Sequence, residues 1–168
     1  NDVGQIAGTL VQGGHQRGFL RQPDGTFEIF DAPGFSQTFT SGINNAGFII
    51  GSGELSGRTA DYIRDSNGAF SLVDSTASYE AGYAINNVGQ YTFVSGRIAN
   101  GAFIHNPNGI DTTLTIPGLS SVQIIPTGLN DHGAVVGQYF PLVGNSQGPN
   151  TGFMRAPAGT IPVIDVPG

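Results

Sequence analysis

The chain contains no cysteine. That excludes disulfides and thiolate chemistry but fixes no compartment. It contains no lysine either: the six basic residues are Arg17, Arg21, Arg58, Arg64, Arg97 and Arg155. Charged residues make up only 11%, and the formal net charge is −6. That balance disfavours nucleic acid and anionic membranes as partners. No apolar run approaches the ~18 residues a spanning helix needs, so no membrane insertion is expected. No signal peptide is visible, and the chain opens on a repeat boundary, which reads as a mature or trimmed form. Helical periodicity is missing throughout. The scarcity of charge does not mean disorder, because 38% of residues are apolar and regularly spaced.

What the chain has in quantity is glycine, 27 of 168 residues, and a repeat. Asn1-Asp2-Val3-Gly4, Asn44-Asn45-Ala46-Gly47, Asn86-Asn87-Val88-Gly89 and Asn130-Asp131-His132-Gly133 are one motif, recurring at intervals of 43, 42 and 44 residues. A fixed period in the 40s is the signature of a repeat architecture. Each unit reads as four short strands. In the first, strand one covers residues 5–8 and a polar loop follows to Arg17. Strand two covers residues 18–22 and strand three residues 27–31, with Asp24-Gly25 between them. Asp-Gly supplies the positive φ angles of a tight hairpin. Strand four, residues 38–43, leads into the next Asn-Asn turn. Four strands per ~42 residues describe a propeller blade. The sequence therefore predicts one all-β domain over 1–168, a four-bladed β-propeller with units 1–43, 44–85, 86–129 and 130–168. One blade is a strand short. Phe19, Tyr62, Phe103 and Phe153 are expected to be equivalent and buried, with strand three or four at the outer edge.

These units resemble the extracellular HAF-repeat family. Gly42-Ile43-Asn44-Asn45-Ala46-Gly47 and Ala84-Ile85-Asn86-Asn87-Val88-Gly89-Gln90 match its first element; Gly18-Phe19-Leu20 and Gly101-Ala102-Phe103-Ile104 match its second. The resemblance implies a bacterial exported protein and brings no activity with it. The histidine of the family name is replaced by Arg17, Ala60, Gly101 and Thr151.

One position repeats a basic residue, Arg21, Arg64, His105 and Arg155; another repeats an acid, Asp31, Asp74 and Asp165, with Thr115 in the third unit. The unit that loses its acid also exchanges arginine for histidine. The pattern favours ion pairs between neighbouring blades; the rival is a ring of cations binding an anion in a channel. The Asn-Asn/Asp turns carry too few carboxylates for calcium, and His15, His105 and His132 have no ligand spacing for zinc. No metal, cofactor or catalytic residue is expected.

Binding is expected in the loops after strand one. The longest, residues 138–150, sets Tyr139 and Phe140 beside Asn145 and Gln147, a composition suited to a glycan or cell-surface polymer; the alternative tucks Phe140 and Leu142 beneath the loop. The leading function is thus a non-catalytic extracellular or cell-surface module. Self-association through the incomplete blade, into an oligomer or fibre, is a second reading. A propeller hydrolase or lyase with its site at a channel mouth is the third.

Overall fold

The computed structural model describes residues 1–73, 80–95, 101–143 and 146–160. Asp74, Arg97, Asn145 and Asp165 lie outside them, as does nearly all of the expected last strand.

The described residues form strands and turns without helix, in four antiparallel sheets. The first sheet holds β1 (Ile6–Gln12), β2 (His15–Arg21) and β3 (Phe27–Phe30). The second holds β4 (Phe35–Ile43), β5 (Ile49–Leu55), β6 (Arg58–Arg64) and β7 (Phe70–Leu72). The third holds β8 (Glu80–Ile85), β9 (Tyr91–Ser95), β10 (Gly101–His105) and β11 (Asp111–Leu114). The fourth holds β12 (Val122–Leu129), β13 (Val135–Val143), β14 (Ser146–Gln147) and β15 (Thr151–Arg155). Strand order follows the chain, except that β13 pairs with both β14 and β15. Each of the last three sheets begins with the strand that closes one repeat and continues with strands of the next. In the second and third sheets the expected fourth and third strands are therefore the two edges.

The turns explain the register. In the first hairpin Gln22 N–H donates to Thr26 O at 2.8 Å and Gly25 N–H to Gln22 O at 2.9 Å, with Gly25 at φ 90°. This is a three-residue loop ending in a left-handed glycine bulge, one residue longer than the two-residue turn expected. The extra residue puts Arg21 opposite Phe27 and Leu20 opposite Glu28, where a two-residue Asp24-Gly25 turn would have set Arg21 opposite Glu28. The Asn-Asn/Asp-x-Gly turns close in the same way.

The loops after strand one are shorter than the sequence suggested. β1 and β2 pair out to Gln12 and His15, leaving Gly13-Gly14 as a turn with both φ angles positive. β5 and β6 are joined by Ser56-Gly57 at φ 53° and 77°. In the fourth repeat β13 runs on to Val143, so Tyr139 belongs to a strand and is buried in the core with Val135 and Phe153.

Three apolar joints hold successive sheets together. Leu20, Phe30 and Ala32 of the first repeat meet Ile49 and Tyr62. Ile50, Ile63 and Val73 meet Tyr91, Phe93 and Phe103. Ala102, Ile104 and Leu114 meet Val135, Tyr139 and Phe153. Tyr62, Phe103 and Phe153 are buried as expected, whereas Phe19 is only half-buried. The reason is positional: Phe19 lies on the face of the first sheet turned away from the second, whereas Leu20 and Phe30 lie on the face packed against it. Among the described residues no comparable packing joins the first sheet to the fourth.

Candidate functional site

Asparagine opens each repeated turn because its carboxamide can close the turn and reach beyond it. Asn44 Oδ1 accepts from Phe48 N–H at 2.9 Å, and Asn86 Oδ1 from Gln90 N–H at 2.8 Å. The amide nitrogen faces the other way. Asn1 Nδ2 donates to Asn44 O at 2.9 Å, Asn44 Nδ2 to Asn86 O at 3.0 Å, and Asn86 Nδ2 to Asn130 O at 2.9 Å. A second ladder runs alongside. Asp2 N–H donates to Asn45 Oδ1 at 2.8 Å, Asn45 N–H to Asn87 Oδ1 at 2.6 Å, and Asn87 N–H to Asp131 Oδ1 at 2.7 Å. Hydrogen bonds from Asn87 hold the Asp131 carboxyl below the usual carboxylate range. The sequence reading assigned these residues to turns alone. Their role between sheets was missed, because it appears only once consecutive turns are stacked.

The four basic positions divide. Arg64 is buried, forms an ion pair with Glu28 of the preceding sheet, and places its guanidinium 4.9 Å from the Phe30 ring centroid. That is a bridge between sheets, as expected, but to Glu28 and not to Asp31. Asp31 is held within its own sheet by Arg17, at 2.8 Å. His105 pairs with Asp111 directly across its own sheet at 2.7 Å. Arg21 and Arg155 form no ion pair among the described residues; each lays its guanidinium over the glycine of its own hairpin, Gly25 and Gly159.

Of the expected fourth-repeat site, Tyr139 is buried, Phe140 is half-buried, and Gln147 is exposed, donating to Gln123 Oε1 at 2.6 Å. Tyr139 is therefore no ligand platform. Period-2 counting from Val135 places it on the core face. Asn145 lies outside the described residues.

A more developed concavity lies at the far end of the first hairpin. Gln12, His15, Arg17, Asp31, Phe35 and Ser36 line a cleft of about 440 Å³ between the first sheet and the start of β4. The Gly13-Gly14 turn brings Gln12 and His15 to its mouth. Arg17 Nη1 donates to Gln12 Oε1 at 2.7 Å while the rest of its fork engages Asp31. Phe35 is half-buried, set edge-on against Tyr62 with centroids 5.9 Å apart. The cleft thus offers one aromatic surface, an amide, a hydroxyl, an imidazole and a fixed ion pair. It sits on the loop class expected to bind, in the first repeat and not the fourth.

No protein-family model matches the chain, and no curated protein matches it. Among solved structures it is similar to a streptogramin B lyase, with a TM-score of 0.62 and 16% identity over all of this chain and 53% of that one. At that identity the likeness is one of fold: all-β and propeller-like. The chain spans about half the length of that neighbour.

Proposed function

We propose that this chain is a non-catalytic binding module whose four sheets are propeller blades and whose ligand is a glycan taken up in the cleft of Gln12, His15, Arg17, Asp31, Phe35 and Ser36. The observation that carries the reading is the composition of that cleft. An aromatic face accepts the apolar face of a sugar ring, and amide, hydroxyl and carboxylate groups around it take the hydroxyls. The Arg17–Asp31 pair orients both partners before a ligand arrives, lowering the ordering cost of binding. The extracellular or cell-surface setting rests on the resemblance to HAF repeats.

A glycan array followed by titration tests this. Gln12→Ala and Ser36→Ala should each weaken binding roughly three- to tenfold, the value of one lost hydrogen bond. Both residues are exposed, so the fold should be unaffected. Absence of binding to every polysaccharide tried would remove the glycan reading.

A second reading, catalysis in the same cleft, is favoured by His15 standing beside the Arg17–Asp31 pair. An imidazole base with a guanidinium to stabilise a developing anion is a set suited to proton abstraction. The measurement that separates the two is turnover of a bound glycan. Catalysis requires product formation that is lost in His15→Ala while binding persists.

A further inference from the structure

We propose that Asn67 is a site of spontaneous covalent modification. Its carboxamide closes onto the Gly68 nitrogen and leaves an aspartyl or isoaspartyl residue in the β6–β7 hairpin, faster than the same reaction occurs at the matching Asn108-Gly109. Neither hairpin contributes to the cleft.

The chemistry needs an asparagine followed by a residue without a side chain, so that the next amide nitrogen can reach the carboxamide carbon. The Gly68 nitrogen gives up its proton and bonds to Asn67 Cγ. The Cγ–Nδ2 bond breaks, and ammonia leaves with that proton. Water then opens the five-membered imide. Attack at Cγ leaves aspartate in place of asparagine. Attack at the main-chain carbonyl carbon of residue 67 routes the chain through the side chain and leaves isoaspartate.

Two hairpins carry this dipeptide in one frame; in a third such pair, Asn100-Gly101, the asparagine lies outside the described residues. Asn67 and Asn108 are both exposed, and their glycines have φ 87° and 79°. In both the glycine N–H is held by the turn, Gly68 to Asp65 O at 3.0 Å and Gly109 to Asn106 O at 2.8 Å. The opening that frees this nitrogen is therefore common to the two. What differs is the carboxamide. Asn108 Oδ1 accepts from Ile110 N–H at 3.0 Å. The equivalent Ala69 N–H donates instead to Asp65 Oδ1 at 2.8 Å, and that oxygen also takes Asn67 N–H at 2.9 Å. The cause is the residue that opens the hairpin. Asp65 is an acceptor only, whereas Asn106 turns its Nδ2 to Ile110 O and Thr112 Oγ1. The Asn67 carboxamide consequently has no hydrogen bond among the described residues, and it rotates onto the Gly68 nitrogen without breaking one.

The charge beside the nucleophile differs as well. Arg64 Nη2 would stand 3.1 Å from a Cβ on Gly68, whereas a Cβ on Gly109 would meet nothing within 4 Å. A guanidinium so placed favours loss of the amide proton and stabilises the negative oxygen that forms as the ring closes.

The two products differ in consequence. Aspartate fits the turn: Asp24 holds the same position in the first hairpin, its Oδ1 accepting from Thr26 N–H at 2.9 Å. Isoaspartate adds a methylene to the main chain between Arg64 and Phe70, which are paired across the hairpin. The Phe70 ring lies 5.5 Å from that of Tyr62 and 5.9 Å from that of Phe30. The added length therefore loosens the joint between the first and second sheets.

Incubating the folded protein at mildly alkaline pH and locating the amide-to-acid mass change by tandem mass spectrometry tests the proposal. Asn67 should convert roughly fivefold faster than Asn108, the rate equivalent of one hydrogen bond. Asp65→Asn gives the second hairpin the opening residue of the third and should slow Asn67 towards the Asn108 rate with the fold intact. The isoaspartyl form, separated by chromatography, should melt below wild type, and Asn67→Asp close to it. Conversion at Asn108 as fast as at Asn67, no conversion at either, or an Asn67 rate indifferent to Asp65→Asn would overturn the proposal.

Discussion

The side-chain amide of Asn44 donates to the backbone carbonyl of Asn86 at 3.0 Å, across the joint between the second and third sheets. Both residues are buried, and Asn44 meanwhile uses its oxygen to close its own turn. One side chain thus fixes the turn within a repeat and the spacing between repeats. Asn44→Ala and Asn86→Ala should each cost about 1–3 kcal/mol, the penalty for leaving buried polar groups unpaired. Asn130→Ala should cost less, because Asn130 is exposed and keeps only its turn bonds. Chemical denaturation of the three variants gives the ranking, and equal losses would contradict it.

Arg64 and Glu28 contribute unequally to the bridge they share. Arg64 is buried among aromatic rings, while the Glu28 side chain is half exposed to water. Arg64→Met should destabilise by about 1–3 kcal/mol through lost packing and cation–π contact, and Glu28→Gln by no more than about 1 kcal/mol. A larger loss for Glu28→Gln would mean that the ion pair, and not the packing, dominates this joint.

Tyr62 gives the fold a limit at high pH. Burial pushes its hydroxyl up to about 12, against an ordinary value of 10.0. The folded state therefore holds the proton more tightly than the unfolded chain does. This stabilisation is complete below pH of about 10 and is lost as pH rises towards about 12. Melting temperatures across that window should fall more steeply for wild type than for Tyr62→Phe. The phenylalanine variant should also be weaker near neutrality, since it loses the bonds to Phe39 O and Thr40 Oγ1.

Backbone space separates two glycines at equivalent positions. A Cβ on Gly18 would stand 2.2 Å from the Phe30 ring, whereas a Cβ on Gly152 meets nothing within 4 Å. Gly18→Ala should destabilise by about 1–3 kcal/mol, as overpacking does, and Gly152→Ala should be close to neutral. Thermal denaturation of the pair is sufficient to check this.

The sequence carried the strand content and the repeat because both depend on local spacing: Asn-x-x-Gly turns, Asp-Gly and Asn-Gly hairpins, and alternation between them. Legibility ended where a contact needed a neighbour from another repeat. The link from Asn44 to Asn86 and the bridge from Arg64 to Glu28 both span sheets, and nothing local indicates them. Two errors were avoidable in principle. Gly13-Gly14 between Thr9-Leu10-Val11-Gln12 and the residues from His15 onward has the form of a hairpin turn, not of an open loop. Counting by twos from Val135 reaches Tyr139 on the buried face. The cleft around Phe35 was not visible because it joins the end of one hairpin to the start of β4 in the next sheet.

Residue-resolved amide hydrogen exchange tests the central claim most directly, namely that successive sheets are joined by a repeated side-chain-to-backbone ladder. The N–H groups of Asn45 and Asn87 donate to the next repeat, while that of Asp131 has no acceptor among the described residues. Asn45 and Asn87 should exchange slowly and Asp131 at a rate near that of an open chain. Similar rates at all three positions would contradict the account.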